Sequence, residues 1–256
     1  MKRVVSWKSS VRLAVLVVLL HGVVSCGSSH NLHVKADENY RLAQQYLGGS
    51  SYLMAEQEIR KALDLVPHDA RYYELLALIY QAQGRLGRAD EAYRIALQQP
   101  DVPPSVKVNF STLLLQRERY DEAISLSQQA LRHRDYNKPA LAHTNIGLAY
   151  LKKGLLLQAE EHLRTAVEYE PSLPEAHHNL GLVYAREGKP AQAILSFREA
   201  IRTRPSYAEA YASLGQLLLE EGRGDEARDA FARVIDLAPD SAMALASRRQ
   251  LERLAP

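Results

Sequence analysis

The apolar and polar positions of this chain repeat with a long period. From residue 36 onward, small and apolar residues return every 34 residues while the charged positions between them change. "TNIGLAYLKKGLLLQA", "HNLGLVYAREGKPAQA" and "ASLGQLLLEEGRGDEA", starting at 144, 178 and 212, are three copies of one pattern. A period in that range is the mark of a stacked-repeat architecture. Six units start at Ala36, Ala70, Pro104, Ala140, Pro174 and Ala208. Their twentieth residue is always alanine: Ala55, Ala89, Ala123, Ala159, Ala193, Ala227. Their eighth is always small: Ala43, Ala77, Ser111, Gly147, Gly181, Gly215. The twenty-seventh is Ala62, Ala96, Ala130, Ala166, Ala200, then Val234, and the seventh is apolar throughout. Within a unit the apolar set runs at helical spacing, as Leu180, Tyr184, Ala193, Phe197 and Ala200 do. "REGKP" at 186–190 reads as a helix stop and turn, and Pro205 ends the second helix. Each unit is therefore predicted as helix, turn, helix. One hairpin cannot cover its own apolar face, but stacked neighbours can. The fixed letters are packing contacts, and the variable ones face solvent or a ligand.

This pattern resembles the tetratricopeptide repeat, whose 34-residue unit has small residues at positions 8, 20 and 27 and proline at 32. The proline is present as Pro67, Pro171, Pro205 and Pro239, and replaced by Asp101 and Asp135 elsewhere. The resemblance covers residues 36–241 and implies an all-α, right-handed superhelical solenoid of six repeats: 36–69, 70–103, 104–139, 140–173, 174–207 and 208–241. Residues 242–256 are predicted as a capping helix, with Asp240 or Ser241 at its start. The third unit is the poorest match, with Lys107, Ser111, Ser127 and Asp135 at key sites and two extra residues after it. A weaker seam between units three and four is the expectation.

Ahead of the repeats lies a different kind of pattern. Lys2, Arg3, Lys8 and Arg12 precede an eight-residue apolar run, Leu13 to Leu20, and then "HGVVSC". Eight helical residues cover about 12 Å, well under the roughly 30 Å of a bilayer core. The layout reads as an export signal, residues 1–25. Val23-Val24-Ser25-Cys26 resembles the bacterial lipobox, with valine where leucine is usual. That resemblance implies lipidation of Cys26 and a lipidated linker over 26–35. Gly27 and Ser28 in place of aspartate suggest the outer membrane, on its periplasmic face. Cys26 is the chain's single cysteine, so no internal disulfide forms.

Composition now adds one point. Lysine and arginine number 32 against 30 acidic residues, but without the four leading basic residues the balance is 28 to 30. No excess charge draws the remainder to nucleic acid.

The chain has no GxxxxGK[ST], GxSxG or HExxH signature. His177 and His178 are adjacent and point about 100° apart on a helix, so they cannot share a metal. His143 and His177 recur at one repeat position, where a packing side chain is expected. The acidic pairs Asp121-Glu122, Glu160-Glu161 and Asp225-Glu226 are read at the starts of second helices, where the helix dipole favours them. No enzyme activity, cofactor or metal site is expected.

What remains is a surface. In the family, first helices line a concave groove. Its sixth position carries Asn109, Asn145 and Asn179 in three consecutive units. An asparagine amide both donates and accepts, so such a row can pair with the backbone of an extended peptide or bond within the array. Leu148, Leu151, Leu182 and Leu219, with Tyr40 and Leu47 in the first unit, complete the candidate peptide site. A lipobox followed by six such repeats is similar to the type IV pilus pilotin family. The resemblance implies a scaffold that binds the pilus secretin and aids its localisation and assembly in the outer membrane. An envelope adaptor recruiting peptidoglycan hydrolases would carry the same repeat signature.

Overall fold

In a computed structural model of the chain, residues 30–254 are described, and all thirteen of their elements are α-helices. The signal segment 1–25 and Cys26 lie outside the described residues. The helices are α1 (30–48), α2 (Tyr52–Leu65), α3 (Ala70–Ala82), α4 (Leu86–Leu97), α5 (Pro104–Gln116), α6 (Tyr120–Leu131) and α7 (Pro139–Lys152). They continue with α8 (Leu156–Tyr169), α9 (Pro174–Arg186), α10 (Pro190–Thr203), α11 (Ala208–Glu220), α12 (Gly224–Leu237) and α13 (Ala242–Arg253). The one clear shift from expectation is at the front. Helix α1 begins at residue 30, inside the segment expected to be linker, because nothing from His30 to Lys35 stops a helix.

The hairpin turns have one chemistry. After α3 the backbone enters the left-handed region at Gly84, with φ of 72°, and the Arg85 N–H donates to the Tyr80 carbonyl at 2.8 Å. That is the six-to-one closure of a Schellman turn, which favours glycine. Gly154, Gly188 and Gly222 repeat it. Ser50 and Glu118 hold the same place in the first and third hairpins at φ of 57° and 58°.

Packing explains the invariant letters. The alanines at position 20 are all fully buried, as are the six residues at position 27. Position 8 on the first helix faces position 24 on the second, and the two trade volume. In the second hairpin Ala77 and Tyr93 hold these two positions, both fully buried, whereas Gly147 meets Leu163, Gly181 meets Phe197 and Gly215 meets Phe231. A Cβ at Gly181 would stand 2.6 Å from Phe197 Cε1.

The chain forms two compact units, one up to Val106 and one from Lys107. The first holds α1–α4. There Tyr72 donates to Asp37 at 2.8 Å, and Arg71 joins Asp37 to Asp69. Glu56 accepts from Arg60, Tyr80, Gln83 and Arg85, tying α2 to α3. The second unit holds most of α5 and all of α6–α13. Its main core runs through Leu163, Leu180, Phe197, Leu214 and Phe231. Helix α13 closes it, with the Ser241 hydroxyl accepting from the Ala244 N–H at 3.0 Å.

The expected weak seam between the third and fourth repeats is not where the chain divides: it lies inside this second unit, where Val108 packs with Ala130 and Ala142 and Ile124 with Ile146 and Ala149, and polar contacts join them. Ser127 donates to Ser111 at 2.9 Å, and Ser111 to the Val108 carbonyl at 2.7 Å. From α7, the Asn145 amide donates to Ser111 Oγ at 2.7 Å, Thr112 Oγ1 at 2.9 Å and the Val108 carbonyl at 3.2 Å. Two serines thus replace the glycine–leucine and glycine–phenylalanine contacts of later hairpins, and Asn145 of the next repeat bonds to Ser111. The Glu160–Glu161 pair is also corrected. Glu160 lies past the first turn of α8, where it accepts from Tyr184 and faces Lys189.

Candidate functional site

A groove of about 570 Å³ runs along the first helices of the second compact unit. Its floor comes from α5, α7 and α9. Leu115, Leu148 and Leu182 give it an apolar strip, edged by Thr112, Thr144, Asn145 and Asn179. These positions converge because they recur at fixed places in parallel helices, one turn of sequence apart. Position 9 gives Thr112, Leu148 and Leu182, and position 6 gives Asn145 and Asn179.

The two asparagines differ. Asn145 spends its amide hydrogens within the array, as described above. Asn179 is buried to 7% exposure, lines the groove, and has no hydrogen-bond partner among the described residues. Its amide atoms are not among the buried polar atoms left without a partner, so they open to the groove, where a ligand can pair with them. Asn109 is half-buried and does not line the groove.

Chemistry that the sequence reading passed over closes the far end of the groove. His178 at position 5 and Glu175 at position 2 line it, with Tyr207 beside them. The His178 ring stands edge-on to Tyr207, with centroids 5.2 Å apart. Its Nδ1 lies 3.4 Å from the Tyr207 hydroxyl and its Nε2 3.0 Å from Ser213 Oγ. Burial pushes the His178 pKa down to about 4, so the ring is neutral at pH 7. Burial likewise pushes Tyr207 up to about 12. A neutral ring that accepts from Tyr207 and donates to Ser213 satisfies both contacts. Glu175 is held by Arg204 at 2.6 Å. The groove therefore presents neutral polar groups and leucines, with three charged residues: Lys152, Glu118, and Glu175, whose Oε2 is buried without a partner among the described residues. That surface suits an extended backbone with an aliphatic side chain better than a strongly charged ligand.

Of the nine peptide-site candidates, the groove gathers Asn145, Asn179, Leu148 and Leu182. Leu151 is corrected: at 1% exposure it belongs to the core, where Leu180, Val183 and Tyr184 of α9 close over it. Leu219 packs against the same core and does not line the groove. Tyr40 and Leu47 lie in the first compact unit, where Tyr40 meets Tyr72 with ring centroids 5.3 Å apart. His177 is buried, with Nε2 2.8 Å from the Pro171 carbonyl, a packing role as expected. The register of family groove positions would have pointed to His178 and Glu175. Tyr207, the last residue of its repeat, lies outside that register.

The model of the tetratricopeptide repeat matches residues 40–103, 109–176, 144–205 and 178–242, most of the chain. The chain belongs to the tetratricopeptide repeat family. Its repeats are also similar to the type IV pilus assembly protein PilF of Pseudomonas aeruginosa, with 26% identity over 174 residues, 64% of this chain and 69% of that protein. Among solved structures it is similar to PilW, a widely conserved type IV pilus biogenesis factor, at a TM-score of 0.73. That match has 23% identity and covers 82% of this chain and 97% of the other. The solved Pseudomonas aeruginosa PilF has a TM-score of 0.71 at 21% identity, covering 86% of this chain and 99% of that one. This tetratricopeptide-repeat protein is thus related in sequence to a pilus assembly protein and shares the fold of both.

Proposed function

We propose that this chain is a non-enzymatic, lipid-anchored scaffold on the periplasmic face of the outer membrane, acting as a pilotin for the type IV pilus secretin. The observation that carries this reading is the apolar groove with its unpaired Asn179, set in a repeat array related to PilF. The groove takes an extended segment of the secretin subunit. Asn179 pairs with its backbone, and Leu115, Leu148 and Leu182 receive an aliphatic side chain. Cys26 carries the lipid. It stands four residues ahead of α1, a tether of at most about 14 Å. The array therefore works close to the bilayer. Among the described residues no helix is long and apolar enough to cross a membrane.

Two measurements test the reading together. Purified secretin should bind the wild-type chain and lose at least tenfold in affinity for a Leu148→Glu/Leu182→Glu variant that keeps its helical circular dichroism. Cys26→Ser should move the protein from the membrane to the soluble fraction. Equal secretin affinity in the double variant would remove the groove from recognition. Selective capture of a peptidoglycan hydrolase in place of secretin would favour the adaptor reading.

A further inference from the structure

The fourth hairpin carries a pair of histidines that the groove does not use. His143 on α7 and His162 on α8 meet across the hairpin with their Nδ1 atoms 3.0 Å apart. The ring centroids are 5.2 Å apart and the planes 31° from parallel. Tyr169 stacks on His143 at 5.8 Å and Tyr150 on His162 at 5.7 Å. Both histidines are half-buried, and Tyr169, 61% exposed, marks the side on which the pair meets solvent.

We infer that His143 and His162 form a two-imidazole site for a borderline divalent transition metal, with Cu2+ preferred over Ni2+ and Zn2+. The spacing is the first argument. Imidazole nitrogens bind such ions at about 2.0–2.1 Å, which sets two neighbouring ligands on one ion about 3 Å apart. The pair is already at that separation, and small ring rotations turn both lone pairs toward a common point. Protonation is the second. Metal binding needs neutral imidazole. The 3.0 Å Nδ1–Nδ1 contact is a hydrogen bond only if one of the two nitrogens is unprotonated, so a lone pair is already present between the rings. In the metal-free neutral pair one Nδ1–H donates to the other Nδ1. On binding, that proton moves to Nε2 of its own ring, leaving two Nδ1 lone pairs for the ion with no net ionisation. Glu161 is the acidic group that acts on both rings, and its charge favours a cation there.

Among the described residues no group of three or more histidine, cysteine or carboxylate side chains could hold a metal. The site is thus an open one, with two protein ligands and water in the remaining positions. Imidazole ligation suits Cu2+, Ni2+ and Zn2+, and Cu2+ leads the affinity order. The bound ion staples α7 to α8.

The test is titration of the purified full chain with CuCl2 and ZnCl2, followed by calorimetry, with His143→Gln and His162→Gln as variants. The expected result is one Cu2+ site, at least tenfold weaker in each variant, with Zn2+ binding more weakly. Because a variant can lose its fold, the wild-type chain is also followed by histidine-ring 1H–15N spectra with Zn2+. The Nδ1 signals of His143 and His162 should shift together while that of His178 stays. Unchanged affinity in either folded variant, or unmoved Nδ1 signals of the pair at saturating Zn2+, would overturn the site.

Discussion

At the scale of single residues, the hairpins are decided by volume. Gly181→Ala puts a methyl group 2.6 Å from Phe197 Cε1, so the aromatic ring must move. Overpacking of this kind costs about 1–3 kcal/mol, and adding Phe197→Leu should recover part of it, as urea denaturation of the single and double variants can measure. Burial sets a pH dependence in the same hairpin. The folded pKa of His178, about 4, is below its unfolded value near 6.5. Between those values the unfolded chain binds the proton and the folded one does not, so stability is full above pH 6.5 and falls as pH drops toward 4. Glu175 and Glu209 act in the opposite sense, and burial outweighs them. The loss attributable to His178 is ~3 kcal/mol at most. His178→Gln should shrink the difference in unfolding free energy between pH 7.5 and pH 4.5, and an unchanged difference would contradict the burial argument. Neither effect is legible in the sequence. The identity of Gly181 marks a close approach, but not the ring that fills it, and adjacent histidines look alike until one is seen against Pro171 and the other in a groove.

At the scale of elements, helices and turns follow from local chemistry, and the 34-residue period places almost every hairpin. The sequence pattern misleads where one position serves two environments. Position 12 of a first helix lies in the groove as Leu115 on α5, yet on α7 the next repeat covers it as Leu151. Position 6 likewise gives Asn145, spent on Ser111, and Asn179, unpaired in the groove. The period fixes the angle of a side chain around its helix but not how closely the next helix approaches. Two substitutions separate the asparagines. Asn145→Ala removes the donor that α7 offers to Ser111, Thr112 and the Val108 carbonyl, leaving Ser111 only Ser127 as donor, and should cost about 1–2 kcal/mol of stability. Asn179→Ala should leave stability within about 1 kcal/mol of wild type and weaken partner binding instead. The turn of the third hairpin gives a third test. Glu118 occupies a left-handed conformation that glycine adopts without strain, so Glu118→Gly should stabilise by roughly 1 kcal/mol, read from the urea midpoint.

At the scale of the whole molecule, the repeats leave little of the described chain outside the array. What varies between hairpins is the groove lining, so recognition should be read there. In sequence the chain is related to the pilus assembly protein PilF, and it shares the fold of PilW. The most direct measurement is site-specific photocrosslinking in the native envelope, with the reactive group at position 182 in the groove or at position 195. Leu195 is 62% exposed on the second helix of the same hairpin. A secretin subunit crosslinked from 182 and not from 195 is the predicted result. Secretin captured from 195 alone, or from neither position, would contradict the assignment of the groove as the docking face.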